Sequence, residues 1–152
     1  MRSAVLVLCA LVACGGSEHA SPQDERSIEF LEPGTLEPLA EDTAVEIYLR
    51  SQGAYGTEVD IRVYGVALAD QAPFTVGCLD PGDHELAEQK FLPTSTAVEQ
   101  ADGSFTIAKL PVVFFDDVEE QQVEDAPATL RATMMTSPTT LGELPVVLSL
   151  QE

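Results

Sequence analysis

Apolar and polar residues alternate along three segments of the chain between residues 28 and 64. The apolar members are Ile28 and Phe30, then Val45, Ile47 and Leu49, then Val59, Ile61 and Val63. Alternation with a period of two places one set of side chains on a buried face and the other in water, which predicts three half-buried strands. Two glycines in residues 51–56 separate the second segment from the third, so these two strands are predicted to form a hairpin.

The second half of the chain predicts further strands and one helix. Residues 74–78 are predicted to form a short buried strand, and Asp102 with Gly103 is a favourable hairpin turn. Residues 110–115 are apolar on both faces, which is typical of a strand buried on both sides or of a crossing between sheets, with Pro111 at an edge or a break. Residues 130–134 and 145–150 predict the last two strands. Residues 84–90, with Asp83 as N-cap, predict the helix.

Short strands separated by turn residues, with almost no helix, are typical of an all-β domain. We therefore expect an antiparallel Ig-like β-sandwich of about seven to eight strands over residues 27–152. The chain has no Trp and only three Cys. The Cys, Trp and Cys signature of antibody domains is therefore missing, and only the architecture is predicted.

The first residues have the pattern of an export signal. Arg2 gives a positive start, residues 4–13 are apolar or small, and Leu11, Val12 and Ala13 precede Cys14. This segment is too short to span a membrane, which takes about 20 apolar residues. It resembles the signal peptide and lipobox of bacterial lipoproteins. The alternatives are an ordinary signal peptide cut near Ala13 and an N-terminal helix.

The lipobox resemblance implies a lipid anchor and a location in the cell envelope. Residues 1–13 are then a cleaved signal peptide, and Cys14 carries a diacylglyceryl group and a further acyl chain such as palmitate. Residues 14–26 are the lipidated Cys and a polar, flexible tether, in which His19 has no role. Gly15 is not the Asp associated with inner-membrane retention, so the resemblance favours the outer membrane of the cell envelope.

A second resemblance covers most of the mature chain. Residues 44–66, 102–115 and 128–150 are similar in strand pattern to small lipoproteins of myxobacteria and their relatives, which combine a lipobox, a short tether and one Ig-like domain. This resemblance implies a fold and a location in the cell envelope, and it does not imply an activity.

Charge excludes one class of partner. The chain has 7 Lys plus Arg and 26 Asp plus Glu, a net charge of -19, which becomes -20 when Arg2 leaves with the signal peptide (6 minus 26). A surface of this charge repels phosphate backbones and anionic headgroups, so we expect no nucleic-acid partner and no membrane contact except through the lipid. A monomer with a protein or carbohydrate partner is expected.

No set of residues predicts catalysis. His84 and Glu85 begin a segment similar to the HExxH zinc motif, but Glu88 stands where the second His is needed. No GxSxG elbow or phosphate-binding loop is present. Cys78, unpaired once Cys14 is acylated, is predicted to be a buried small hydrophobe and not a nucleophile.

Two acidic loops and two tyrosines are the candidate binding residues. Calcium prefers carboxylate oxygens, and the candidate ligands are Asp80, Asp83 and Glu85 in one loop and Asp116, Asp117, Glu119 and Glu120 in the other. The alternative is that both loops only keep the sheet ends soluble. Tyr48 and Tyr64 share the polar phase of adjacent strands, so they either bind protein or carbohydrate or stabilise the sheet as a pair.

These observations predict a non-catalytic interaction module of the cell envelope. The alternative is a calcium-dependent adhesion or binding module, and a more remote one is a hydrolase.

Overall fold

The structure, a computed structural model, describes residues 26–93, 96–136 and 139–151. Within these ranges the chain forms nine strands and two short 3-10 helices, Leu68–Asp70 and Glu120–Gln122. The strands are Ser27–Leu31 (β1), Thr43–Leu49 (β2), Tyr55–Tyr64 (β3), Phe74–Leu79 (β4), Glu85–Phe91 (β5), Ala97–Glu99 (β6), Phe105–Val113 (β7), Ala126–Met134 (β8) and Thr140–Leu150 (β9). No helix in the described ranges is long and apolar enough to cross a membrane. The predicted all-β class is confirmed.

The strands form one curled, mixed sheet. Their order is β5-β4-β8-β9-β2-β3-β7-β6, and β1 pairs with β3 outside this path. The chain after β7 returns to the opposite edge, where Phe114 bridges Ala87 and the Phe115 N–H donates to the Leu86 carbonyl at 2.9 Å. Residues 110–115 therefore cross between the two ends of the sheet, which is one of the two arrangements their apolar pattern predicts.

One strand pair makes the sheet mixed, so the prediction of a purely antiparallel sheet is wrong. The first part of β2, Thr43 to Ile47, pairs in parallel with Val146 to Leu150 of β9. The last two residues of β2, Tyr48 and Leu49, pair antiparallel with β3 through the predicted hairpin. Leu49 is consequently 61% exposed, although its alternation with Ile47 predicts burial.

The predicted helix at residues 84–90 is also wrong, because this segment is strand β5. Its residues are good helix formers, but β5 pairs along its whole length with β4. A register shift between Cys78 and Leu79 lets Leu86 and Ala87, which are neighbours in the chain, both lie buried. Burial of these two side chains against the sheet overrides the local preference.

The core lies inside the curl. The fully buried side chains include Ile47, Ile61, Leu130 and Leu148. Cys78 is also fully buried, as predicted, and burial raises the pKa of its thiol to about 12. A thiol with so high a pKa is protonated at neutral pH and is a poor nucleophile.

Candidate functional site

A recess opens where β2 leaves β3. Along one edge of β3, β2 pairs with Tyr55 and Gly56, and β1 pairs with residues 60–64. No described strand pairs with residues 57–59 of this edge, because β2 has turned away to β9. The recess at this position has a volume of about 480 Å³. This volume falls within the usual range of ligand pockets, about 300–1,000 Å³.

The walls of the recess are mainly apolar and come from both halves of the curled sheet. The lining residues are Phe30, Leu31, Pro33, Leu39, Ala44, Val45, Glu46, Tyr48, Thr57, Glu58, Val59 and Leu130. Val59 lies on β3, and Leu130 lies on β8 in the other half. The recess therefore reaches core side chains between the two halves.

Polar groups lie at the mouth. Glu46 and Glu58 are exposed, and Tyr48 is half-buried. Neither carboxylate forms an ion pair within the part of the chain that the structure describes. Arg50 directly follows β2, and its stem packs over Gly56. The Arg50 Nη1 atom is buried and has no hydrogen-bond partner among the described residues.

Asp60 holds the loop that forms the outer wall of the recess. Its carboxylate accepts a hydrogen bond from the Gly34 N–H at 2.9 Å and another from the Lys109 N–H at 2.7 Å. The loop is tied further by the Leu39 N–H, which donates to the Phe30 carbonyl at 2.8 Å. Asp60 is only 6% exposed, although it alternates with the apolar Val59 and Ile61 and such alternation predicts a position on the solvated face of β3. An Asp within a strand is unfavourable, and this was the available signal of a special role.

The structure does not bring Tyr48 and Tyr64 together. Tyr48 pairs with Gly56 and lines the recess, whereas Tyr64 lies at the other end of β3, about 26 Å along the strand. The Tyr64 hydroxyl donates to Glu29 at 3.0 Å, and the Arg62 guanidinium lies 5.2 Å from the centre of its ring. Burial and the Glu29 bond raise the pKa of Tyr64. The expected single aromatic face is therefore two separate sites.

The turn between β6 and β7 is held by an internal network. Asp102 accepts from the Ser104 hydroxyl at 2.6 Å, from the Ser104 N–H at 3.0 Å and from Arg62 at 2.7 Å. These hydrogen bonds lower the pKa of Asp102, with those from Ser104 the largest cause. The arrangement confirms the predicted hairpin, in which Gly103 has a φ of 83°. Its polar atoms bind one another, so the network is structural.

The first acidic loop is organised by its own hydrogen bonds. Asp80 accepts from the N–H groups of Gly82 and His84 at 2.7 and 3.0 Å, and it contacts the His84 ring. The His84 backbone bond is the largest cause that lowers the pKa of Asp80. Asp83 lies 3.9 Å from Arg131, and Glu85 is exposed at the start of β5.

The second acidic loop contacts the core through the side chain of Val123. Asp116, Asp117, Glu119 and Glu120 are exposed, while Val123 is fully buried in the core. Glu119 begins the short 3-10 helix in a capping box with Gln122. Within the described residues no group of three or more His, Cys, Asp or Glu is placed to hold a metal ion.

The predicted anchor cannot be placed on this fold. Cys14, the signal peptide and the tether up to residue 25 lie outside the described residues. Arg26 is exposed and directly precedes β1.

Comparison with known proteins adds no relative. No protein-family model matches the sequence, and no curated protein matches it.

Proposed function

We propose that this chain is a lipoprotein of the bacterial cell envelope, anchored through Cys14, whose β domain acts by non-covalent binding and not by catalysis. The proposal includes an Ig-like sandwich architecture, in which the two halves of the curled sheet are the two layers. The lipobox supports the anchor, and the apolar recess at the turn of β2 supports binding. The recess is the single observation that carries the function.

The recess has the properties of a binding site. Its walls include Phe30, Val59 and Leu130, which present hydrocarbon to a ligand, and its polar groups lie at the mouth. Apolar walls with a few polar groups at the opening are typical of small-molecule sites. Burial of apolar ligand surface supplies affinity without any chemical step.

The proposed tether and the recess adjoin opposite ends of β1. The proposed tether joins the chain at Ser27, and Phe30 and Leu31 at the end of β1 line the recess. A tether of this length reaches about 20 Å on average. A tether of this reach would leave the recess free to meet ligands in the surrounding solution.

Substitution of Cys14 tests the anchor. In the native host grown with an alkyne fatty acid, the wild-type protein is expected to take up the label and fractionate with membranes. Cys14→Ser is expected to lose both properties, because the thiol that accepts the lipid is gone. Cys9→Ser is the matched control and is expected to behave as wild type. Labelling that survives in Cys14→Ser contradicts the proposed anchor.

A bulky residue at the mouth tests binding by the recess. Ala44 is exposed and lines the recess, so Ala44→Trp is expected to fill it without disturbing the core. Nile red, an uncharged dye that fluoresces in apolar surroundings, is the probe. Ala44→Trp is expected to weaken dye binding by about tenfold or more, because the ring occupies the apolar volume.

The control for this variant is Ala108→Trp, which adds the same side chain at an exposed strand position outside the recess. It is expected to bind the dye as the parent does. All samples are the full chain with Cys14→Ser, so that no acyl chain competes for the dye. Equal dye binding by the Ala44 and Ala108 variants, or no binding by the parent, contradicts a binding role for the recess.

A further inference from the structure

Two carboxylates without an ion-pair partner among the described residues line the mouth of the recess, together with an aromatic ring. If the antiparallel ladder through Tyr48 and Gly56 continued, Glu46 would lie opposite Glu58. β2 instead turns to β9, so these two residues line the mouth of the recess from different strands. Both are exposed, and neither has an ion-pair partner in the described ranges.

From this arrangement we propose that the recess binds a small amphiphilic cation, with an apolar body between the two halves of the sheet and an ammonium or guanidinium group at Glu46, Glu58 and Tyr48. The inference rests on the proposed function, since it names the ligand class of the same recess. Two carboxylates without ion-pair partners in the described part of the chain attract a cation, and an aromatic ring attracts it further.

Arg50, which directly follows β2, leaves this charge uncompensated. Its guanidinium forms no ion pair with Glu46 or Glu58 among the described residues. Its stem packs over Gly56, towards the hairpin end of β3. The net charge of -19 for the chain adds a long-range field that attracts cations and repels anionic amphiphiles.

The size of the opening favours a small ligand over a peptide strand. Only residues 57–59 of this edge of β3 lack a pairing strand among the described residues. Three residues span about 10 Å, which is too short for an added strand of ordinary length. The depth of the recess, which reaches Val59 and Leu130, suits a chain of methylene groups.

A matched series of eight-carbon amphiphiles tests the charge preference. Octylammonium, octanol and octanoate have the same apolar body and differ in the charge of the head group. Each is used to displace Nile red from the full chain with Cys14→Ser. Octylammonium is expected to bind about tenfold more tightly than octanol, from one carboxylate contact and the aromatic ring together. Octanoate is expected to bind most weakly.

Variants that replace glutamate with glutamine test whether the preference for a cationic head group depends on Glu46 and Glu58. Glu46→Gln with Glu58→Gln is expected to reduce the affinity for octylammonium to that for octanol and to leave octanol binding unchanged. Glu88→Gln with Glu124→Gln removes the same charge at exposed positions outside the recess and is expected to keep the preference.

Three results overturn the inference. The first is equal affinity for octylammonium and octanol. The second is a higher affinity for octanoate than for octanol. The third is an equal loss of the preference for octylammonium in both double variants. In each case the proposed function is still supported if octanol displaces the dye from the parent protein and the Ala44→Trp substitution abolishes this binding. Failure of Nile red and of all three amphiphiles to bind overturns the proposed function as well.

Discussion

Asp60→Ala is expected to lower the free energy of unfolding by about 2–4 kcal/mol, because the variant loses two hydrogen bonds to a buried carboxylate. The Gly34 N–H, at 2.9 Å, belongs to the loop that walls the recess, and the Lys109 N–H, at 2.7 Å, belongs to β7. Lys109 has a φ of 54°, next to a register shift between β3 and β7. The Asp60 side chain therefore links the loop at Gly34 to β7 at the register shift between β3 and β7.

Urea denaturation at neutral pH measures this effect. Asp117→Ala is the matched control, since it removes one exposed carboxylate and leaves the same net charge. The control is expected to change the free energy of unfolding by less than about 0.5 kcal/mol. Amide hydrogen exchange at Gly34 and Lys109 is expected to accelerate in the Asp60 variant. Equal stability of the two variants contradicts the structural role of Asp60.

Gly142→Ala is expected to cost about 2–3 kcal/mol, because the added methyl group has no room. A Cβ at this position of β9 overlaps the carbonyl oxygen of Ile28 on β1. This oxygen belongs to the backbone, so relief requires β1 to move away from β9. Displacement of β1 is expected to loosen Phe30 and Leu31, which line the recess, and therefore to weaken dye binding also.

Gly82→Ala is the control for the glycine substitution. Gly82 is exposed in a turn, and the nearest atoms to an added Cβ belong to the side chains of His84 and Asp80 at 3.1 and 3.2 Å. It is expected to change stability by less than about 0.5 kcal/mol in urea denaturation. If Gly142→Ala is as stable as Gly82→Ala, β1 does not pack against β9 as described.

The sequence predicts where the strands of this fold lie along the chain better than it predicts which strands pair with each other. Alternation identifies β2 and β3, and the glycines between them identify the hairpin, because both signals are local. Pairing of β2 with β9 joins residues about 100 positions apart in the chain, and no local pattern specifies it. The parallel pair, and hence the mixed sheet, was not predictable from periodicity.

Local preference misleads at β5 for a related reason. Its Glu, Leu, Ala, Gln and Lys residues favour a helix by intrinsic propensity. The strand is specified by its neighbours, through pairing with β4 and contact of Ala87 with Phe114. Tertiary contacts that are distant in sequence outweigh a propensity difference of a few tenths of a kcal/mol per residue.

The candidate site is predicted only in part. Tyr48 is a candidate from the sequence and does line the recess, together with its neighbour Glu46. Val59 and Leu130 look like ordinary core residues in the sequence, and only the topology shows that they share a recess with Tyr48. Tyr64, which the alternation of the sequence places with Tyr48, lies elsewhere and contacts Glu29 and Arg62.

The account depends on the turn of β2 from β3 to β9, since this turn opens the recess. Proton NMR of the full chain with Cys14→Ser tests it most directly. Amide-to-α-proton NOEs typical of parallel strands are predicted between Ala44 or Val45 and Val147 or Leu148. A strong NOE between the α protons of Val45 and Val59, which would form a non-hydrogen-bonded pair if the ladder of Leu49 and Tyr55 continued, would show instead that β2 continues antiparallel along β3, which closes the recess and contradicts the account.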